Sequence, residues 1–273
     1  MDELILAAEE CDVVNATMCA PEDVSVFFEF APLIPGVEWF TRTQVLIFLA
    51  AFLAIAVFYF GLRKAKLVPG RMQLVAESAF DFVDKGIARD VIGPEGSKYT
   101  PYLLSIFMFI LFGNMFEVTP LVNFPITSRM AIPAFLALLT YLIFVVAGIR
   151  KQGFRYFTDL AWPPGVPTAL KPLVGVIELV SVLLVRPFSL AVRLFANLVA
   201  GHTMLSLLLG SAGFFVWAAV TGEVGIGKGA VGVAWFVMGL LIYVFEIMVA
   251  FLQAYIFTLL SAVYIQTSVH PEH

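Results

Sequence analysis

The chain has 273 residues, of which 61% are hydrophobic and only 13% charged, and its mean hydropathy is +0.96. A soluble domain carries about 45–50% apolar and about 25% charged residues, so this composition belongs to a polytopic membrane protein. Its two Cys and three His form no CxxC or HExxH pattern, and the stretch EVGIGKGAVG around Gly225 lacks P-loop spacing, which excludes a metal cage, a redox dithiol and a phosphate cradle; neither a cofactor nor a nucleic-acid partner is expected.

Residues 1–43 form an acidic extracytoplasmic segment, with nine Asp and Glu and no Lys or Arg between Met1 and Thr41. A secretory signal needs a basic n-region, so the segment reads as retained rather than cleaved. Cys11 and Cys19 both lie in it, either as a local disulfide or as two free thiols. Residues 44–273 read as one membrane domain. Residues 44–62 are an unbroken apolar run, about 28 Å long as a helix, which matches a hydrocarbon core of about 30 Å. Residues 71–90 carry Met72, Val75, Ala79, Phe82, Val83 and Ile87 on one stripe, with Glu77, Asp81, Asp84 and Lys85 opposite. That pattern predicts an amphipathic helix on the membrane surface, or one simply packed on the body of the protein. Spanning helices are predicted at 102–117 and 131–149, followed by a Pro-rich loop.

Two longer apolar segments follow, 172–210 and 229–268, each nearly 60 Å long if helical and so about twice the hydrocarbon thickness. Pro187 is expected to kink the first, whereas isolated Gly232 and Gly239 do not reverse the second. Together they predict a steeply tilted hairpin closed by a flexible stretch from Ser211 to Lys228. The fold class is therefore all-α, with about five membrane-embedded helices and one surface helix. Of the 16 Lys and Arg, seven lie between Arg63 and Lys98 and four between Arg150 and Lys171. The positive-inside rule puts both loops in the cytoplasm, the N-terminus outside and the C-terminus inside.

The chemistry lies in polar groups placed where they are expensive. A central arginine in a membrane helix costs about 3 kcal/mol on insertion scales and about 10 or more on an isolated helix. Arg193 and Asn197 are four residues apart and share a helix face, while His202 points roughly to the opposite side. Against a functional role stands an Arg193 that snorkels and a His202 satisfied by a backbone carbonyl. Glu246 and Gln253 share a face with Tyr243 and Ala250, and an unpaired Glu in lipid needs a partner. His202 is the candidate, although it lies about nine residues before the expected closing stretch and Glu246 about 18 after it. A carboxyl beside an imidazole can take up and pass a proton near neutral pH. Glu178, Ser189 and Arg186 lie toward the cytoplasmic end and can line an inner path, with snorkelling favoured for Arg186. Asn114 and Glu117 can border the outer path or act as an interfacial cap.

RLFANLVAGH from Arg193 to His202, EIMVAFLQAYIFTLLSAVYI from Glu246 to Ile265 and FGNMFEVTP from Phe112 to Pro120 resemble subunit a of F-type ATP synthases. The resemblance covers most of the chain beyond its first 40 residues. It implies a non-catalytic, proton-translocating stator subunit of the membrane sector, with the ring of c subunits, the peripheral-stalk subunit b, the rest of the complex and membrane lipids as partners. Arg193 would then match the essential arginine facing the c-ring, and Gln253 the glutamine that neighbours it across the hairpin. Asn197, His202 and Glu246 would match the half-channel open to the outside, Asn114 and Glu117 its mouth, and Ser189 the inner half-channel; the match at Glu178 is one residue out of register. Retention of the charged, Cys-bearing N-terminal segment favours a bacterial plasma membrane over a mitochondrial inner membrane. Two rival readings are a proton-coupled secondary transporter, which inverted repeats would favour, and a scaffold whose polar groups only join helices. No repeat is present in the sequence.

Overall fold

The computed structural model describes residues 16–19, 41–63, 65–119, 126–153, 155–162, 167 and 170–270. A backbone in hydrocarbon must satisfy its own polar groups, and helices do so segment by segment. Accordingly, helices are the only regular structure among the described residues: α1 Arg42–Leu62, α2 Arg71–Val83, α3 Thr100–Met115, α4 Ala131–Gln152, the short α5 Arg155–Ala161, α6 Lys171–Val180, α7 Arg186–Thr221 and α8 Ile226–Val269. Helix α2 continues at π pitch over Asp84–Ile92, and α6 joins α7 through a π segment at Ser181–Val185. The core is built where α3, α4, α7 and α8 meet, around Leu103, Ile110, Phe144, Leu194, Leu198, Phe257 and Ile265.

The surface helix corrects the expected stripe. Its buried face is Gln73, Ala76, Val83, Asp84, Ile87 and Ala88, whereas Met72 and Val75 are exposed. Two causes rotate it. Gly61 of α1 lets Ala76 come so close that a Cβ on Gly61 would lie 2.8 Å from the Ala76 Cβ. The Asp84 carboxylate is tolerated inside because the Thr100 hydroxyl donates to it at 2.6 Å and Arg89 Nε lies 2.7 Å from its other oxygen, which is how a buried charge is kept affordable.

Helices α6 and α7 with the π segment form one rod of 51 residues, and α8 has 44, or about 77 and 66 Å. The closing stretch is shorter than expected. Helix α7 runs through Ser211 to Thr221, and only Gly222–Gly225 forms the turn. SAGFFVWAAVT is apolar and contains no breaker stronger than one mid-helix glycine, which costs only about 1 kcal/mol. Gly222 ends α7 at φ 83°, a left-handed C-cap that glycine adopts without strain. Pro187 also fits without ending the rod, because the π segment immediately before it loosens the turn into which its ring would clash.

Along α8 the buried residues Gly232, Gly239, Glu246 and Gln253 recur every seven positions. Along α7 the buried sets Leu194, Gly201, Leu208, Phe215 and Ala191, Leu198, Leu205, Ala212 recur likewise. A seven-residue repeat keeps one seam facing its partner along two long helices. The glycines set the spacing, since a Cβ on Gly232 would lie 2.9 Å from the Phe215 Cβ and one on Gly239 2.6 Å from Leu209 Cδ2.

Thr100→Val removes a donor to buried Asp84 and should cost about 1–3 kcal/mol, read as a lower thermal midpoint in detergent. Outside the membrane, the Lys151 hydrogen bond and charge hold the exposed Glu95 carboxyl below its ordinary value. Its contribution to stability is present in full above the unfolded value of about 4.3 and fades as pH falls through the lower folded value. Glu95→Gln should remove that part of the acid sensitivity in a pH series of unfolding midpoints.

Candidate functional site

Arg193 lies on the outward side of α7, exposed and with no hydrogen bond or ion pair among the described residues. Asn197, one turn on, lies on the same side and donates its amide to Gln253 Oε1 at 2.9 Å. Gln253 is 2% exposed and is therefore held by Asn197 rather than by Arg193. This places a cation on an open apolar face, with a cross-hairpin amide pair just behind it.

A second cluster is enclosed. His202, Glu246, Asn114 and Glu117 are all buried, none more than 6% exposed. The Glu246 carboxyl rests directly on Gly201, the neighbour of His202; a Cβ there would lie 2.5 Å from Oε1 and 2.6 Å from Oε2. Measured from the observed turn, His202 precedes Gly222 by 20 residues and Glu246 follows Gly225 by 21. The two groups therefore sit at nearly equal depth in an antiparallel pair. Glu117 lies in the turn after α3, and its Oε1 has no hydrogen-bond partner among the described residues.

Three further groups hold this cluster, of which Tyr243 is already visible in the sequence on the polar face of Glu246 and Gln253. The Thr127 hydroxyl donates to Asn114 Oδ1 at 3.2 Å, and the Asn114 amide donates to the Ala250 carbonyl at 3.5 Å. The Tyr243 hydroxyl donates to the Val118 carbonyl, fixing the turn that carries Glu117. Gly201 supplies the space. A signal for Gly201 exists in the sequence, since it lies on the same seven-residue repeat as Leu194 and Leu208; Thr127 carries none, because its contact depends on a loop folding back over α3. The buried Glu246 carboxyl and the buried His202 imidazole, at nearly equal depth in the hairpin, can each take up or release a proton.

The residues expected along an inner path are not gathered into one cluster. Ser189 is half-buried and donates to the Arg186 carbonyl of its own helix at 3.2 Å. Glu178 is half-buried on α6. Arg186 does not snorkel free: it donates to Thr267 Oγ1 at 3.0 Å and lies 5.3 Å from the centre of the Tyr264 ring. Among the described residues no group of His, Cys, Asp and Glu is arranged to hold a metal ion.

Gly201→Ala must push the Glu246 carboxyl aside and, as overpacking, should cost about 1–3 kcal/mol. Glu246→Ala in the same chain restores the space. A double-mutant cycle by thermal unfolding should therefore give the pair a coupling of about 1 kcal/mol or more.

The ATP synthase A chain family matches residues 44–266, which include the whole hairpin seam and both polar clusters. The chain is similar to ATP synthase subunit a of Frankia alni, 42% identical over 234 residues that cover 85% of this chain and 78% of that relative. Its similarity to subunit a of Gluconacetobacter diazotrophicus is 38% over 245 residues, covering 89% and 94%, and to that of Rhodospirillum rubrum 40% over 231 residues, covering 85% and 89%. With the match running through every membrane helix described above, the chain belongs to the ATP synthase subunit a family.

Proposed function

We propose that this chain is the proton-translocating stator subunit of a rotary ATP synthase, itself non-catalytic, and that it offers two half-channels to a ring of c subunits. The observation that carries this reading is Arg193, a cation exposed on an apolar helix face. In hydrocarbon such a group needs an opposite charge, and among the described residues it has no ion pair. A carboxylate on a passing c subunit supplies it. The proton enters from outside by way of Asn114, Glu117, His202 and Glu246 and neutralises that carboxylate, which can then turn away into lipid. After nearly a full circle the carboxylate meets Arg193 again from the other side and gives up its proton toward Ser189 and Glu178. Asn197 and Gln253 hold the hairpin together behind the arginine. The charge pair is strong in low dielectric, while a lone charge there is very costly, and that difference keeps the two paths from short-circuiting.

In this reading the N-terminus is outside and the C-terminus cytoplasmic, the membrane is a bacterial plasma membrane, and subunit b joins the chain to the peripheral stalk. The π segment at Ser181–Val185 supports including Glu178. A π turn takes up about one residue more than an α turn, enough to absorb the single-residue offset between Glu178 and the family pattern.

Arg193→Ala in membrane vesicles should abolish ATP synthesis and ATP-driven proton pumping in a complex that still assembles, with any change in passive proton leak recorded alongside. Retained coupled synthesis would sink the motor and return Arg193 to a snorkelling side chain.

A further inference from the structure

The stretch Ala16–Cys19 belongs to the acidic N-terminal segment, outside the family match that begins at residue 44. It forms no helix or strand, yet it is bonded to both long helices of the hairpin. The Ala16 carbonyl accepts from Lys228 Nζ at 2.6 Å, and the Thr17 carbonyl accepts from Trp235 Nε1 at 2.9 Å. The Cys19 N–H donates to Ser211 Oγ at 3.0 Å, and that hydroxyl lies 3.2 Å from the Cys19 carbonyl, to which it donates in return. Ser211 is fully buried, and Cys19 is 7% exposed. Lys228 Nζ also lies 5.7 Å from the centre of the Phe215 ring.

Ser211 is on α7, and Lys228 and Trp235 are on α8, so the stretch bridges the two helices across the Gly222–Gly225 turn. A segment without secondary structure keeps such a position only if its ordering cost is lowered. Cys19 is disulfide-bonded, and the sequence contains one other cysteine, Cys11, which lies outside the described residues. A cross-link at Cys19 narrows the conformations open to the segment when its hydrogen bonds are broken, and so lowers the cost of making them.

We infer that Ala16–Cys19 is a disulfide-anchored strap that clamps α7 to α8 at their turn end, and that opening the Cys19 disulfide loosens that end of the hairpin. Ser211 is nine residues from His202 and Trp235 eleven from Glu246, about 13 and 16 Å along the helix axes. The strap therefore stiffens the pair of helices carrying the enclosed cluster without entering it. Its relevance to proton transfer rests on the function proposed above; the clamp itself does not.

The test is amide hydrogen exchange, followed by mass spectrometry on the intact complex in detergent, with and without a thiol reductant. In the wild-type chain, reductant should raise exchange several-fold in peptides covering 205–240 and leave 186–200 and 255–268 unchanged. Cys19→Ser should exchange like the reduced protein and not respond to reductant. Equal exchange in oxidised and reduced wild type, a rise spread evenly over the chain, or a Cys19→Ser variant that still responds would each overturn the clamp. Pumping by Arg193→Ala probes the motor alone, so the two readings fail separately.

Discussion

Everything in this chain depends on how closely α7 and α8 approach each other. Water offers little drive for helix association inside a bilayer, so long apolar helices adhere through close van der Waals packing, for which small residues are needed. Gly232 and Gly239 provide it near the turn, and Gly201 and Ala250 provide it deeper in. The same seven-residue seam then carries Glu246 and Gln253. Two polar side chains are thus buried by the geometry that packs the helices, and each finds its surroundings there: Gln253 through Asn197, Glu246 against Gly201. A wider seam would leave both to lipid.

That closeness also sorts the polar groups. Residues on the seam side of α7, His202 among them, are enclosed, while Arg193 and Asn197 face outward. In the proposed motor, a relay would need enclosure so that protons do not leak, and an arginine serving a second subunit would need access. One helix offers both surroundings because its two faces differ in exposure over a span of nine residues. The π segment at Ser181–Val185 adds a third adjustment. It carries the rod past Pro187 without a break and sets the rotation of Glu178 relative to Arg193. Arg186, tied to Thr267 and stacked over Tyr264, anchors the far end of the seam much as the N-terminal strap anchors the turn end.

The surface helix illustrates the same dependence on context. Its apolar periodicity is visible in the sequence, but Asp84 is buried rather than solvated, because Thr100 and Arg89 surround its carboxylate. A stripe drawn from hydropathy alone assigns every acid to water. The packing of α2 on α1, through the space left at Gly61, and the partners of Asp84 together decide which way the helix is turned.

The sequence by itself determined the class and the places of the helices, because a run of apolar residues without charges has one stable form in a bilayer, and length fixes whether it spans. It also singled out Arg193, Asn197, His202, Glu246 and Gln253, because polar atoms in such runs are costly enough to stand out. It did not determine where the hairpin turns. Glycine-rich EVGIGKG reads as a loop throughout, yet the backbone from Ile226 onward is helical, since packing against α7 outweighs a weak local preference. That shorter turn is what brings His202 and Glu246 level, removing the mismatch that the longer closing stretch implied. The contact of Thr127 with Asn114, that of Tyr243 with Val118, and the strap across Ser211, Lys228 and Trp235 were likewise decided by tertiary structure alone. Their partners lie on other elements, 13 to more than 200 residues away, and no local pattern encodes a contact made over such a distance.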